Sequence, residues 1–199
     1  MAAGIYVGST TGYSGKNMVI MGIVLKLQKE GYKVGYMKPV GAMPTEQDGK
    51  QGDEDAFFVQ GVLGLDEDPA LVTPVLITQD FKVQAFSGKC EDLMPRIIDS
   101  YNTLAKDKDV MIVAGSGSMY SGRYCHIEAI RVVKSLGIKA VVIDRMSKEL
   151  NYDYLAILKD TLGEDLAGVI LNDIPANFMS EVETLIKPFL SKNDIYTLG

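Results

Sequence analysis

The run Gly4-Ile5-Tyr6-Val7 leads into Gly8-Ser9-Thr10-Thr11-Gly12-Tyr13-Ser14-Gly15-Lys16-Asn17, and an apolar helical pattern follows directly. An apolar run, a glycine-containing turn and a Gly-Lys pair at a helix start predict a strand–loop–helix unit whose loop holds phosphate. Glycines let the backbone turn tightly and aim successive N–H groups inward. The helix N-terminus adds partial positive charge, and Lys16 supplies a full one for the β- and γ-phosphates. The expected nucleotide contacts are Gly8, Thr10, Thr11, Gly12, Tyr13, Ser14, Gly15, Lys16 and Asn17. Two details depart from the common pattern. Gly8 stands farther from Lys16 than the first glycine of GxxxxGK[ST]. Asn17 replaces the Ser or Thr whose hydroxyl ligates Mg²⁺, although an amide carbonyl can contact the ion or one of its waters. Asn17 also suits a helix cap or first turn.

The rest of the chain repeats the same rhythm. Apolar runs at Gly4–Val7, Lys33–Met37, Val110–Val113, Lys139–Ile143, Gly168–Leu171 and Ile195–Leu198 read as strands covered on both faces. Between them, Met18–Lys29, Glu91–Ala105, Tyr152–Leu162 and Met179–Leu190 carry apolar residues at helical spacing. On the first of these, Val19, Ile23 and Leu27 share one side. Pro188 is expected to kink or end the last helix. Strands alternating with helices predict an α/β fold with a mainly parallel central sheet and right-handed crossovers. Ala42–Gly52 is polar and reads as a loop, and Pro69–Ser87 as a short extra strand or irregular cover.

At 199 residues the chain suits one domain, spanning 1–199, that buries a core of ordinary size. A formal net charge of −6 disfavours nucleic acid or an anionic membrane as a partner. No apolar stretch reaches the roughly 18 residues that cross a bilayer, so no membrane association is expected. Cys90 and Cys125 lack zinc-site spacing and read as two reduced thiols in a cytoplasmic protein. His126, beside Cys125, would be half a metal site at most.

The loop GSTTGYSGKN, then MKPVG at Met37–Gly41 and GDEDA at Gly52–Ala56, resembles the dethiobiotin synthetase-like P-loop family. The type found at the N-terminus of some phosphotransacetylases is similar too. The resemblance covers essentially the whole chain. It implies a three-layer P-loop NTPase-type fold, ATP with Mg²⁺ as cofactors, and a homodimer. A downstream domain is also compatible with it, the chain then being the N-terminal part of a longer protein. Lys16 matches the phosphate-binding lysine, and Lys38 a lysine that faces the active site, so both are candidate catalytic residues. A lysine at the carboxyl end of a parallel strand points into the ligand crevice, and a surface strand-end lysine is the plainer alternative. Asp55 matches a Mg²⁺-binding aspartate and joins Asn17 as a candidate metal contact. Asp53, Glu54 and Asp55 equally suit an acidic helix N-terminus with Asp53 as its cap. Asn172 matches an adenine-recognising asparagine, and an Asn-Asp turn is the alternative.

One departure is central. In Asp109-Val110-Met111-Ile112-Val113-Ala114-Gly115-Ser116-Gly117, Ala114 stands where the family carries a metal-binding glutamate. With Asn17, this weakens the metal site that phosphoryl chemistry relies on. The leading expectation is therefore an ATP-binding regulatory or partner-binding module with a degenerate Mg²⁺ site. The alternative is an active ATP-dependent ligase that activates a carboxylate. Its acceptor would lie among Lys16, Lys38 and the Gly115–Arg123 segment, with Arg123 holding a carboxylate. A P-loop relic serving only as an assembly scaffold is the third reading.

Overall fold

The computed structural model describes residues 2–146 and 150–199. Its first half runs β1 (Ala3–Ser9), α1 (Lys16–Lys29), β2 (Val34–Met37), β3 (Val40–Gly41), β4 (Pro44–Gln47), β5 (Lys50–Asp53), α2 (Glu54–Leu63), α3 (Pro69–Val72), β6 (Val75–Leu76) and α4 (Gln79–Phe86). The second half runs α5 (Met94–Leu104), β7 (Val110–Ala114), α6 (Ala129–Leu136), β8 (Lys139–Arg145), α7 (Tyr152–Leu162), β9 (Leu166–Asn172), α8 (Met179–Glu181) and α9 (Lys187–Lys192).

The central sheet has the order β2-β7-β1-β8-β9, and every neighbouring pair is parallel. β1 lies in the middle, so the loop leaving its carboxyl end opens where the strand order reverses, the usual ligand crevice of such sheets. Tyr6, Val7, Tyr36, Met37, Met111, Ile112, Val113, Val142 and Ile143 are all buried, as expected of strands covered by helices on both faces. The last predicted strand forms only in part. Thr197 bridges Val169 in parallel, and Leu198 N–H donates to the Val169 carbonyl at the sheet edge.

Several expectations change in detail. On α1 the fully buried residues are Ile20 and Val24, with Val19, Ile23 and Leu27 only partly covered. That helix is apolar around most of its circumference, so spacing alone left its inner face ambiguous. α5 begins at Met94, later than Glu91, with Pro95 in its first turn, where a missing N–H costs nothing. The polar stretch Ala42–Gly52 is no plain loop: β4 and β5 form a hairpin whose turn residues Asp48 and Gly49 both have positive φ. An Asp-Gly pair favours that turn because it matches the strand twist. In Pro69–Ser87, β6 pairs with β3 in parallel, framed by α3 and α4. Pro188 does not end its helix. A π-helical segment, Val182–Ile186, precedes it, and α9 continues to Lys192. The wider turn shifts the bonding register just ahead of a residue with no N–H to give.

The cysteines correct a further expectation. Cys90 and Cys125 are joined by a disulfide with Cα atoms 5.8 Å apart. Their separation of 35 residues gave no hint of contact, because the turn Arg123–Cys125 meets the loop after α4 only in the folded chain. Cys125 is thereby no metal ligand beside His126.

Candidate functional site

Residues 11–15 connect β1 to α1 as an open nest. Tyr13 and Gly15 both adopt left-handed backbone, with φ 57° and 91°. Glycine does so without strain, whereas Tyr13 holds it with its side chain 96% exposed, clear of any packing. Among the described residues, no protein acceptor takes the backbone N–H groups of residues 11–18; the first bond of the helix runs from Val19 N–H to the Gly15 carbonyl. An array of unpaired amides at a helix N-terminus is an anion cradle. Ser14 adds a buried hydroxyl with no partner among the described residues.

The Lys16 ammonium lies across the cradle. It donates to Ser9 Oγ at 2.9 Å and to the Gly117 carbonyl at 3.2 Å. Burial, then the nearby Lys38 ammonium, push its pKa below the ordinary lysine value, and the Asp55 carboxylate pulls the other way. The three charges therefore share one electrostatic neighbourhood. Ser9 Oγ also reaches the carbonyls of Thr11 at 2.6 Å and Gly117 at 3.0 Å.

Thr10 is not part of the open cradle. Its N–H donates to the Ile143 carbonyl, and its hydroxyl donates to Asp144 Oδ1 at 2.5 Å in a buried contact. Asp144 Oδ2 in turn accepts from Asn151 N–H at 3.3 Å. Gly8 lies inside β1, and its lack of a side chain is a packing requirement: a Cβ there would sit 2.1 Å from Met119 Sδ. Both residues support the loop from behind.

Lys38 follows β2 and turns inward, not into open space. Its Nζ lies 2.5 Å from Asp53 Oδ1 and 2.8 Å from Asp55 Oδ2, with only 4% of the side chain exposed. Asp53 also accepts from Ala56 N–H at 3.2 Å, capping α2, and from Met43 N–H at 2.9 Å. The acidic cluster thus serves as a helix N-terminus and as the counter-charge of Lys38. Glu54 is exposed and outside the pair. Tyr36, buried on β2, keeps its hydroxyl proton because burial and the charges of Asp53 and Asp55 raise its pKa.

Asn172, at the end of β9, comes against the loop. Its Nδ2 donates to the Ser14 carbonyl at 2.8 Å. The Asn-Asp turn also exists: Asp173 has φ 56° and its carboxylate accepts from Arg145 Nε at 2.8 Å. Ala114 closes β7 and Gly115 follows, packed so that a Cβ would meet the Tyr6 hydroxyl at 3.1 Å. Arg123 is exposed and forms no ion pair among the described residues. No group of three or more His, Cys, Asp or Glu side chains is placed to hold a metal ion among the described residues.

Sequence reasoning missed Ser9 and Asp144. Asp144 had one signal, a carboxylate ending an apolar strand run at its carboxyl end. Ser9 had none, since its meeting with Gly117 across Lys16 depends on β7 lying beside β1.

Comparison with known proteins matches this arrangement. The family described as AAA domain (AAA_26) matches residues 3–195. An ATP-dependent dethiobiotin synthetase BioD of Methanocaldococcus jannaschii is 28% identical over 176 residues, covering 84% of this chain and 78% of that protein. A phosphate acetyltransferase of Pseudomonas aeruginosa is 26% identical, covering 82% of this chain but 23% of that protein. In structure, the kinase domain of the Escherichia coli tyrosine kinase ETK superposes with a TM-score of 0.58 at 16% identity, over 86% of this chain and 68% of that one. The sheet is that of the P-loop NTPases, and no helix among the described residues is long and apolar enough to cross a membrane. With its phosphate-type loop, its strand order and these relatives agreeing, the chain belongs to the AAA_26 family, as a dethiobiotin synthetase-like P-loop protein.

Proposed function

We propose that this protein binds ATP through the loop of residues 11–17 and acts as a regulatory or partner-binding module with little turnover of its own. The observation that carries the reading is the row of N–H groups from residue 11 to 18 that have no acceptor among the described residues, beside the Lys16 ammonium. Polyphosphate fits it: each oxygen finds an amide, and the Ser14 hydroxyl gains a partner. In this reading Thr11, Gly12, Tyr13, Ser14, Gly15, Lys16 and Asn17 meet the phosphates. Asn172, whose Nδ2 already reaches the loop at the Ser14 carbonyl, offers its amide to the base.

The metal side is thin. Asn17 and Asp55 are the residues that would face Mg²⁺, which when bound neutralises charge between β- and γ-oxygens. Asp55 is already paired with Lys38, and Ala114 supplies no ligand. A cradle whose candidate metal carboxylate, Asp55, is already the partner of Lys38 supports binding more than hydrolysis. The reading extends to a cytoplasmic homodimer of a single domain, 1–199, with a larger assembly suggested by the phosphate acetyltransferase, of which this chain spans 23%.

Isothermal titration with ATP, ADP and GTP, with and without Mg²⁺, tests the proposal alongside a phosphate-release assay. The expected result is ATP binding that survives chelation of Mg²⁺, with hydrolysis far below about 1 s⁻¹, an ordinary enzyme rate. Turnover at or above that rate by the purified protein would overturn it.

A second reading has its own support. Four relatives are named ATP-dependent dethiobiotin synthetases, and this chain spans 78% of one of them. In that case the protein is a carboxylate-activating ligase, with Lys16 and Lys38 catalytic and the acceptor near Gly115–Arg123. An Asp55→Ala variant then loses activity; if its rate equals the parent's, this metal scheme fails.

A further inference from the structure

Two segments distant in sequence are fastened together three times on one side of the phosphate loop. Phe86 of α4 stacks on Tyr124, with ring centroids 5.0 Å apart and planes 16° from parallel. The Cys90–Cys125 disulfide joins the same two segments a few residues on. Arg131 of α6 then donates to the His126 carbonyl at 2.7 Å and to Asp92 Oδ1 at 3.2 Å. Together these contacts fix the end of the segment that leaves β7.

The other end of that segment forms a wall of the cradle. Gly115 N–H donates to the Val7 carbonyl, and Met119 N–H to the Ser9 carbonyl. The Gly117 carbonyl accepts from Lys16 Nζ. Between wall and clamp lies a cavity of about 160 Å³ lined by Tyr6, Ser116, Ser121, Gly122 and Tyr124. The glycines at 117 and 122 have φ of 64° and 90°, conformations that add no stiffness of their own. The wall is therefore held at both ends: near β1 by these bonds and by the Tyr154 hydroxyl, which accepts from Met119 N–H at 3.0 Å, and at the far end by the clamp.

We infer that the Cys90–Cys125 bond is a redox-sensitive clamp that sets the affinity of the phosphate loop. Cys90 is partly exposed and lines an open groove with Asp92, His126 and Arg131, whereas Cys125 is buried. A dithiol reductant reaches Cys90 first. Its thiolate attacks the Cys90 sulfur, the S–S bond breaks, and Cys125 leaves as a thiolate that takes up a proton. The reductant's second thiolate then displaces Cys90, which is protonated in turn. The protein gains two electrons and two protons, and the dithiol becomes a disulfide. With the covalent link gone, the clamp keeps only the exposed stack and the exposed Arg131 contacts, and the far end of the wall gains freedom that weakens its hold on Lys16 and Ser9.

The inference rests on the proposed nucleotide site, and binding linkage makes its test reciprocal. Reduction is expected to weaken ATP binding about fivefold, the low end of ordinary coupling between sites. ATP must then favour the disulfide by the same factor, lowering its midpoint potential by about 20 mV for a two-electron couple. Titration calorimetry on the full chain, air-equilibrated and after reduction by dithiothreitol, reads the first effect. Equilibration in dithiothreitol buffers with and without ATP reads the second. Hydrogen exchange at residues 115–127 is expected to rise on reduction. The Cys90→Ser variant should match the reduced protein, and the reduced parent chain supplies the test if that variant misfolds. Equal ATP affinity and equal exchange in both redox states overturn the clamp, as do two free thiols in the air-equilibrated protein. If neither state binds ATP but exchange at 115–127 still rises, the nucleotide site fails and the mechanical clamp stands.

Discussion

Removing Asp53 should cost this protein far more than removing Lys38, although the two form one ion pair. Asp53→Ala leaves a buried ammonium, 4% exposed, with only Asp55, whose side chain is 37% exposed. Breaking one partner of a buried pair costs about 3–5 kcal/mol, and the remaining Asp55 holds the figure near the lower end. The substitution also strips the α2 cap, worth about 1 kcal/mol, and leaves Met43 N–H without its acceptor. The sum is about 4 kcal/mol, or a fall in Tm of about 8–16 °C for a chain of this length. Lys38→Met removes the charge but leaves Asp53 with both backbone donors, so about 1–2 kcal/mol is expected. In the double variant no ammonium is stranded, and its cost should fall below that of Asp53→Ala alone. Urea unfolding followed by circular dichroism gives all three values. Additive effects, or Asp53→Ala no worse than Lys38→Met, would refute the idea that Asp53 is the anchor of the pair.

Two further outcomes follow from the cradle. Because the Lys16 pKa lies below that of an unfolded lysine, the unfolded chain binds the extra proton between the two values. Stability of the free protein therefore rises with pH through that window, while ATP affinity falls as the ammonium is lost. Calorimetry from neutral pH to about pH 10 checks this, and Lys16→Arg, which stays charged, should give a flat profile. Gly15→Ala meets a backbone φ of 91° and puts a Cβ 2.5 Å from Asn172 Nδ2. It should cost about 1–2 kcal/mol from the backbone alone, and adding Asn172→Ala should restore only the part due to contact; full restoration in thermal unfolding would contradict the φ argument.

Much of this was legible in the residues themselves. The loop at Gly8–Lys16 is a local object: its glycines, its Gly-Lys pair and the flanking apolar runs lie within one strand–turn–helix unit. The sheet was legible for a related reason, since strands buried on both faces must be apolar throughout, as Val110–Ala114 is. α5 was visible from Ile97, Tyr101 and Leu104 at helical spacing. Where the pattern was apolar all round, as on α1, or polar all along, as in the β4–β5 hairpin, spacing carried no information about which face turns inward.

Local sequence determined the phosphate-loop geometry and the alternation of strand and helix, because both depend on neighbours within a few residues. The tertiary structure alone decided who meets Lys16, Lys38 and Cys90. Lys16 finds Gly117 because β7 lies beside β1, Lys38 finds Asp53 because the end of β5 returns to the end of β2, and Cys90 finds Cys125 across a gap of 35 residues. Such meetings join segments distant along the chain, and no local preference of backbone or side chain encodes them.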